Sequence, residues 1–468
     1  MTSAALIASA QWLFLGYFAG LNLLYLGLNL VSLVAILRDR RLRIPGELSN
    51  LYSGLEPPIS LLVPAYNEET TIVASIRSML QLSYPQMEVI VINDGSRDGT
   101  LAVLEREFHL IPFPEVYRVQ LPTKAVRGIY RSTVHKNLRV IDKENGGKAD
   151  SINAGINNVR HPLFCVVDAD SILQRDSLLQ LVAPFMDDPS VVAAGGTVRI
   201  ANGCKVSGGF LESVGLPRNP LALFQVIEYL RAFLFGRMGW APLNAILIVS
   251  GAFGIFRKDL VVEAGGYRTD TVGEDMELVV RLHRLRWTAR QPCRVVFLPD
   301  PVCWTEAPED LRTLQNQRIR WQRGLMESLW LNRSLLLHRH GGTVGWIAFP
   351  AMLLFEGFGP LIEVAGYLFV VLAFMGGLLS WQASAIFLML SLGLGFLLSV
   401  SGLLLEQITF HAYPKTSQLF GLVSGLLGEN LGYRQLNSWW RLCGLWRWAR
   451  GTRGGWGKMR RKGSWQRT

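Results

Sequence analysis

"FCVVDADSI", residues 164–172, joins four residues of buried-strand character to two carboxylates one residue apart, Asp168 and Asp170. Two earlier stretches also run from an apolar segment into a polar turn: "ISLLVP" (59–64) and "MEVIVIND" (87–94). Segments with helical spacing alternate with these runs, which predicts βαβ units and a Rossmann-like α/β fold with a mainly parallel sheet. Ligands of such sheets bind beyond the carboxyl ends of the strands, where both aspartates fall.

The composition indicates a polar α/β unit fused to membrane segments. The chain has 468 residues, half of them hydrophobic, and a net charge of +11. Much of the basic excess flanks apolar runs, which favours anionic lipid at a cytoplasmic face over nucleic acid as the partner. The five cysteines are odd in number and widely spaced, with no zinc-binding spacing, which favours reduced thiols in the cytosol.

Three apolar runs are long enough to cross a membrane. Residues 4–37 form the first, and "RDRRLR" (38–43) follows it, so the positive-inside rule predicts that this end is cytoplasmic. Val344–Leu379 and Gln382–Leu405 are the other two, whereas Leu419–Leu431 is short enough to be interfacial or re-entrant. The sequence therefore predicts a multi-pass protein of the cytoplasmic membrane with its polar unit in the cytosol.

Five parts follow from these boundaries. They are an N-terminal transmembrane helix (1–38), a cytosolic linker (39–58), an α/β domain with interfacial helices (59–340), two transmembrane helices (341–408), and an interfacial or re-entrant segment with a basic cytosolic tail (409–468). Tryptophan and arginine in the tail suit a lipid headgroup layer, and a disordered basic tail is the alternative. The apolar run 221–238 is a core helix or, as we favour, an in-plane membrane helix.

The acids after the 163–167 strand suit a divalent cation. Carboxylates at i and i+2 can approach one hard ion, Mg²⁺ or Mn²⁺, which also binds substrate phosphates. Alone, Asp168 and Asp170 would be interpreted as a solvated turn. They are joined by "NGGKADSINAGI" (145–156), which places Lys148 at a helix start, where a helix N-terminus also favours an anion.

Further polar turns fall at the same predicted edge of the sheet. "VPAYNEE" (63–69) can frame a base, and Asp94 in "NDGSRDGT" (93–100) is suited to accept a hydrogen bond from a uracil or ribose group. Each turn has an alternative interpretation as simple turn or capping chemistry. Their shared position at one edge favours a binding site.

Two later segments suit acceptor chemistry. "TVGEDMEL" (271–278) puts Glu274 and Asp275 at a helix start, either to complement the helix dipole or to supply a general base. In "QRIRW" (317–321), Trp321 can stack on a sugar and Arg320 can pair with a diphosphate. An amphipathic interface helix is the alternative for this second segment.

The ordered set of motifs resembles a known family. "AYNEE", "NDGS", "NGGKADSINAGI", "VVDADS", "GAFGIFR", "VGEDMEL" and "QRIRW" occur in that order within residues 59–324. In this they resemble the processive, membrane-embedded family 2 inverting glycosyltransferases, which include chitin, hyaluronan, cellulose and poly-N-acetylglucosamine synthases. The "NGGKA" segment looks most similar to the N-acetylglucosamine polymer branch.

The resemblance implies a GT-A fold, a UDP-sugar donor and Mg²⁺ or Mn²⁺. It implies donor contacts from Ala65, Tyr66, Glu68, Asp94, Lys148, Asp168, Gln317, Arg320 and Trp321, metal contacts from Asp168 and Asp170, acceptor contacts from Ser250, Gly251, Ala252, Phe253, Glu274 and Trp321, and a catalytic base at Asp275. The implied function is inverting transfer of a hexose, most plainly N-acetylglucosamine, to a growing β-linked polysaccharide at the cytoplasmic membrane face.

Two departures keep alternatives open. A basic insertion at 111–139 precedes the Lys148 motif, either as an acceptor or lipid contact or as a solvated loop. The membrane part is small, which makes a continuous polymer channel in one chain doubtful and leaves room for an export partner. Transfer of a single sugar to a lipid acceptor is therefore an alternative. A catalytically inactive scaffold is a third interpretation, against which the retained acids and "QRIRW" argue.

Overall fold

The computed structural model describes residues 3–42, 54–207, 209–377 and 381–452. Its strands are β1 (Ile59–Ala65), β2 (Met87–Asn93), β3 (Leu110–Pro112), β4 (Val126–Ser132), β5 (Leu138–Lys143), β6 (Leu163–Val167), β7 (Ile172–Leu173), β8 (Val191–Ile200), β9 (Lys205–Ser207), β10 (Phe210–Ser213), β11 (Phe253–Arg257) and β12 (Arg294–Thr305). Ten of these strands form one sheet in the order β3-β4-β5-β2-β1-β6-β11-β8-β12-β7, and β9 pairs with β10.

Helices surround this sheet and extend from it. The α-helices are α1 (Ser3–Leu42), α2 (Ile72–Leu80), α3 (Thr100–Phe108), α4 (Lys148–Asn158), α5 (Ser177–Asp187), α6 (Pro220–Leu230), α7 (Met238–Trp240), α8 (Lys258–Glu263), α9 (Glu274–Thr288), α10 (Leu311–Leu331), α11 (Phe349–Ala351), α12 (Gly359–Met375), α13 (Trp381–Thr409), α14 (Thr416–Gly428) and α15 (Arg434–Ala449). A 3₁₀ turn spans Arg333–Leu335, and π-helical segments span Arg231–Arg237, Val344–Ala348, Met352–Gly357 and Glu429–Tyr433.

The centre of the sheet is parallel, as the alternating pattern predicts. Strands β5, β2, β1 and β6 are neighbours and all run in the same direction. They are buried on both sides, which explains their nearly continuous apolar sequences. Helix α4 packs closely on β1 and β2 because Gly155 has no side chain: a Cβ there would lie 2.9 Å from the Leu62 side chain.

The sheet as a whole is mixed, which refines the predicted mainly parallel sheet. β11 pairs antiparallel with both β6 and β8. It therefore brings the "SGAF" loop, Ser250–Phe253, back to the edge where β6 ends. At the other side, β4 pairs antiparallel with β5, and β3 with β4. The basic insertion 111–139 is therefore not a simple loop, because residues 126–132 extend the sheet within it.

The three apolar runs that were predicted to cross a membrane fall on helices. Among the described residues, one straight helix has the length and composition of a span, Gln11–Arg38. Val344–Gly357 and Gly359–Met375 pass the same test only as a pair bent by 42°, and Gly395–Thr409 is a shorter apolar helix. The bend comes at Gly357–Pro360, where the proline ring cannot continue the preceding hydrogen-bond ladder.

The acids of the apolar region face protein partners. Glu356 pairs with Arg441 at 2.8 Å, Glu429 pairs with Arg231 at 2.5 Å, and Glu363 accepts a hydrogen bond from a serine on α15. The basic segment from Arg441 onward begins inside a helix, α15, which packs against α10 rather than forming a tail. The linker residues 43–53 and the tail residues 453–468 lie outside the described part of the chain.

Candidate active site

Three parallel strands and one antiparallel strand deliver the predicted site residues to one edge of the sheet. Ala65 at the end of β1 is aligned with Asn93 at the end of β2. Asp168 follows β6 directly, and Phe253 at the start of β11 is paired with Val167 at the end of β6. The carboxyl ends of the central strands therefore meet at one place, as the strand pattern predicts, and the antiparallel β11 adds the "SGAF" loop to it.

Lys148 lies at the centre of this edge. Its Nζ is 2.5 Å from Asp168 Oδ1 and donates to the carbonyl oxygen of Gly251 at 3.1 Å. Burial lowers the pKa of Lys148, but the neighbouring Asp168 carboxylate outweighs that effect, and the net pKa is raised. The lysine is thus held as a cation between the acid pair after β6 and the loop before β11.

Asp275 reaches the same point from the start of α9. Its Oδ2 accepts a hydrogen bond from the backbone N–H of Gly251 at 3.1 Å, and its Oδ1 accepts one from Met276 N–H. A Cβ on Gly251 would lie 3.2 Å from both Asp275 Oδ2 and Lys148 Nζ. The absence of a side chain at Gly251 therefore lets the predicted base and the predicted phosphate-binding lysine approach each other.

Glu274 is an acid of the site whose pKa is raised. Its side chain is buried, with 5% of its surface exposed, beside Asp275 and within the field of Lys148. Burial, reinforced by the negative charge of Asp275, raises the pKa of Glu274 to about 7, while Lys148 and Arg320 oppose the shift. A carboxyl group whose pKa is raised by burial and by an adjacent acid is typical of catalytic sites.

The Asp94 carboxylate, which was predicted to contact the donor, is held by several groups of the protein itself. Its carboxylate accepts hydrogen bonds from the buried Lys143 Nζ at 2.7 Å and from the side chain of Asn145 at 3.1 Å. The backbone N–H groups of Gly146 and Gly147 donate to it at 2.9 and 2.8 Å. These four bonds fix the glycine turn that leads into α4, so Asp94 also positions Lys148.

The turn after β1 is braced against the turn after β2. The carbonyl oxygen of Ala65 accepts from Asp94 N–H at 2.9 Å, and Glu68 N–H donates to Thr100 Oγ1 at 2.9 Å. Glu68 also accepts a hydrogen bond from the Thr71 hydroxyl. Tyr66 is 39% exposed, so its ring is available to a ligand while Ala65 contributes backbone.

The four residues of the "SGAF" loop divide into contacting and supporting positions. Ser250 and Gly251 line the edge, and Ser250 Oγ accepts from Ala252 N–H at 3.4 Å. Ala252 and Phe253 are buried, and Phe253 has no exposed surface because its ring belongs to the core of the sheet. A direct acceptor contact predicted for Phe253 would therefore need a rearrangement of the core, whereas support of the loop does not.

The "QRIRW" segment lies in the first half of α10. Gln317 is buried, and among the residues that the structure describes its Oε1 has no hydrogen-bond partner. Arg320 is half-buried and within the field of Glu274. Trp321 is 42% exposed, with the guanidinium of Arg318 4.5 Å from its ring centre. The segment thus combines an amide, a cation and an accessible indole, and the charge of the cation, Arg320, acts on Glu274.

Comparison with known proteins identifies the family of the chain. Residues 57–324 match the family model described as "Glycosyltransferase like family 2", which is more than half of the chain and includes every predicted site residue. The chain belongs to glycosyltransferase family 2. It is therefore a glycosyltransferase, and the predicted family is confirmed.

Curated relatives of this glycosyltransferase are named as synthases of a polysaccharide. It is 28% identical over 321 residues to a poly-beta-1,6-N-acetyl-D-glucosamine synthase of Staphylococcus aureus, a match that covers 68% of this chain and 64% of the relative. The poly-beta-1,6-N-acetyl-D-glucosamine synthase of Staphylococcus epidermidis is 26% identical over 301 residues, covering 62% of each chain. The chain thus spans less than two thirds of the length of these relatives.

A solved structure shares the fold of this glycosyltransferase. The mannosyltransferase PcManGT from Pyrobaculum calidifontis, determined with GDP-Man and Mn²⁺, superposes with a TM-score of 0.51 at 18% identity. The match covers 90% of this chain and 99% of that structure. At this identity the likeness shows the fold, and the predicted GT-A fold is confirmed.

Sequence reasoning missed two residues of this glycosyltransferase that lie near the candidate site. Tyr229 of α6 lies 6.5 Å from the Trp321 ring, centre to centre, and its phenol is within the field of Asp170. Arg237, at the end of the π-helical segment that follows α6, is within the field of Asp275. Both belong to the apolar run 221–238, whose isolated polar residues were the available signal. That run is mostly packed against protein, which favours the core-helix alternative over an in-plane membrane helix.

Proposed function

We propose that this glycosyltransferase transfers N-acetylglucosamine from UDP-N-acetylglucosamine to the end of a growing β-linked polysaccharide, with inversion at the anomeric carbon. The convergence of Lys148 and Asp275 on Gly251, with Asp168 bound to Lys148, carries the proposal. It supplies a phosphate-binding cation, an acid pair and a base within one small volume. Similarity to two synthases of an N-acetylglucosamine polymer supports the choice of sugar and of a glycan acceptor.

The acid pair after β6 fits a divalent ion shared with the substrate. The described residues contain no group of three or more His, Cys, Asp or Glu side chains arranged for a metal. Asp168 and Asp170 would supply two carboxylates, and Mg²⁺ or Mn²⁺ completes such a set with water and phosphate oxygens. When bound, the ion neutralises charge on the diphosphate as the sugar leaves. Its requirement here is part of the proposal.

The chain's own residues account for the remaining steps. Asp275 takes the proton of the acceptor hydroxyl, whose oxygen forms a bond to the anomeric carbon as the bond from that carbon to the diphosphate oxygen breaks. Lys148 and Arg320 hold the negative charge on the departing UDP. Trp321 stacks against the acceptor sugar and orients its hydroxyl. A direct displacement of this kind inverts the anomeric configuration.

The domain arrangement also remains our proposal. Residues 1–38 and 341–408 would anchor the 59–340 domain at the cytosolic face, with 39–58 as linker and 409–468 along the membrane surface. The basic residues after α1 support this orientation. Tags at the two termini of the protein, exposed to protease in inside-out vesicles, test this orientation. A C-terminal tag that is protected from the protease would contradict a cytosolic tail.

Nucleotide release by the purified full-length chain tests the activity. In detergent with Mg²⁺ or Mn²⁺, we expect UDP release from UDP-N-acetylglucosamine and a product of many sugars. Asp275→Asn should lower turnover by roughly 10²–10⁴-fold while UDP affinity is retained, because a general base contributes about that much.

Product length and donor choice discriminate the alternatives. A single sugar added to lipid would replace polymerisation by lipid glycosylation, and unchanged turnover in Asp275→Asn would remove this residue as the base. Folded protein that releases no nucleotide from any donor would support the inactive scaffold. Full activity in a buffer that contains a chelator and no divalent metal would remove the ion from the proposal.

A further inference from the structure

The segment between α6 and α7 changes its helical register beside the active site. Residues Arg231–Arg237 form a π-helical turn, in which each hydrogen bond spans one residue more than in an α-helix. Directly after it, Gly239 abuts α1: a Cβ there would lie 2.8 Å from the Leu28 carbonyl oxygen. Arg237 is the last residue of this wider turn. The turn itself packs between helix α1 and strands β8 and β12 of the catalytic domain.

A row of rings leads from the "QRIRW" helix to this arginine. The Trp321 ring is 6.5 Å from Tyr229, and Tyr229 is 5.8 Å from Phe233. The Arg237 guanidinium lies 3.8 Å from the centre of the Phe233 ring. Because Trp321 is exposed at the other end of the row, the row forms one wall of the site rather than an isolated core cluster.

Arg237 has an uncommon set of contacts for a half-buried cation. Among the residues that the structure describes, its guanidinium makes no ion pair and no hydrogen bond, and its close contact is the face of Phe233. Burial lowers the pKa of Arg237 to about 10, whereas the Asp275 carboxylate raises it. Most buried arginines of this region are paired, as Arg318 is with Glu228 at 2.7 Å. The five donors of Arg237 are therefore available to a ligand.

The charges of the site call for such a cation when a donor binds. Four acids surround the edge of the sheet: Asp168, Asp170, Glu274 and Asp275. Lys148 is already paired with Asp168 at 2.5 Å, and the charge of Arg320 already acts on Glu274. A nucleoside diphosphate brings at least two further negative charges, and a planar guanidinium binds phosphate oxygens in a two-pronged manner.

We propose that Arg237 is a further donor-binding residue, whose guanidinium contacts the diphosphate of the sugar nucleotide and of the departing nucleoside diphosphate. The inference rests on the proposed function, which supplies the nucleotide-sugar donor. The Phe233 ring holds the guanidinium plane, and Tyr229 separates it from Trp321, so the cation and the acceptor platform share one wall. Arg237 thereby joins the run 221–238 to the chemistry of the site.

Calorimetric titration of the full-length protein with UDP and with uridine, in the presence of Mg²⁺ or Mn²⁺, tests the contact. Arg237→Met should weaken UDP binding roughly tenfold or more, as loss of hydrogen bonds to a charged group does, and leave uridine binding unchanged. Arg237→Lys should fall between the two, because it keeps the charge and loses the fork.

Arg257→Met is the matched control. Arg257 also lies over a ring, 5.5 Å from Phe185, and donates to the carbonyl oxygen of Val191, but it stands at the far end of β11 from the site. We expect its UDP affinity to equal that of the wild-type protein. Loss of UDP affinity in both variants would assign the effect to general destabilisation and overturn the inference.

The remaining outcomes separate the inference from the proposed function. Folded Arg237→Met with unchanged UDP affinity overturns the inference alone, as does a shifted pH profile of turnover without a change in affinity, which would make Arg237 a support of Asp275. Should Arg237→Met not fold, Arg237→Lys with wild-type UDP affinity has the same meaning. Wild-type protein that does not bind UDP overturns the proposed function itself.

Discussion

At the scale of single residues, the site depends on an acid that is kept out of water. Glu274 is buried next to Asp275, and its carboxylate gains only part of the missing solvation from Lys148 and Arg320. Its pKa of about 7 means that it exchanges a proton near neutral pH. Asp275, with two backbone donors, lies in a more polar setting. We therefore propose Asp275 as the base and Glu274 as the neighbour whose raised pKa lets it exchange a proton near neutral pH.

Glu274 should make stability depend on pH. An acid whose pKa rises on folding binds a proton more tightly in the folded state, so its contribution is complete below pH ~4.5 and is lost as pH rises to about 7. Glu274→Gln removes this loss. The variant should gain stability relative to the wild-type protein between pH 5 and 7, by up to ~3 kcal/mol, and the gain should level off above.

Thermal unfolding midpoints at pH 5, 6, 7 and 8 measure the effect. Glu263→Gln, at an exposed position on α8, is the control and should give a difference that does not vary with pH. A Glu274→Gln difference that is equally flat would contradict the assignment of a raised pKa.

At the scale of elements, helix α10 sets the position of the predicted base. Gly324 of α10 touches Gly273, the residue before α9, so closely that a Cβ on either would lie 2.8 Å from the backbone of the other. Glu327 accepts from Thr271 Oγ1 and Val272 N–H at 2.8 and 2.9 Å, and holds the same loop. The helix that carries "QRIRW" thus also fixes the start of α9.

Gly324→Ala should therefore disturb both helices at once. The new methyl group would meet backbone, which cannot rotate away, so we expect a loss of about 1–3 kcal/mol in stability and a lower turnover. Gly393→Ala, in α13 with nothing within 4 Å of its Cβ, is the control and should be neutral or slightly stabilising. Unfolding midpoints and nucleotide release report the two effects, and wild-type turnover in Gly324→Ala would show that the contact does not position the base.

At the scale of the whole molecule, buried ion pairs join the sheet to the apolar helices. Arg199 of β8 binds Glu406 of α13 through two bonds of 2.8 and 3.0 Å, and both side chains are almost fully buried. The Arg199 guanidinium also lies 5.1 Å from the Phe410 ring. Because neither charge can reach water, each depends on the other for its stabilisation.

Removal of one partner should cost far more than removal of both. Glu406→Gln leaves Arg199 buried without a counter-ion, and we expect a loss of about 3–5 kcal/mol in the free energy of unfolding. The double variant Arg199→Met with Glu406→Leu replaces the pair by apolar groups of similar size and should recover most of it. Thermal unfolding in detergent measures both, and a double variant no more stable than Glu406→Gln would contradict this description.

The sequence by itself determined the parallel centre of the sheet and the edge at which the candidate site residues lie. Apolar runs that end in Asp94 and Asp168 specify buried parallel strands, because period and polarity are local properties. The tertiary structure decided what the sequence could not. The antiparallel return of β11 brings Gly251 between Lys148 and Asp275. Its pairing with β6 joins residues 86 to 94 positions apart, and such pairing leaves no local pattern. The π-helical register of Arg231–Arg237 and the bend near Pro360 likewise depend on packing, which decides the direction in which a side chain points.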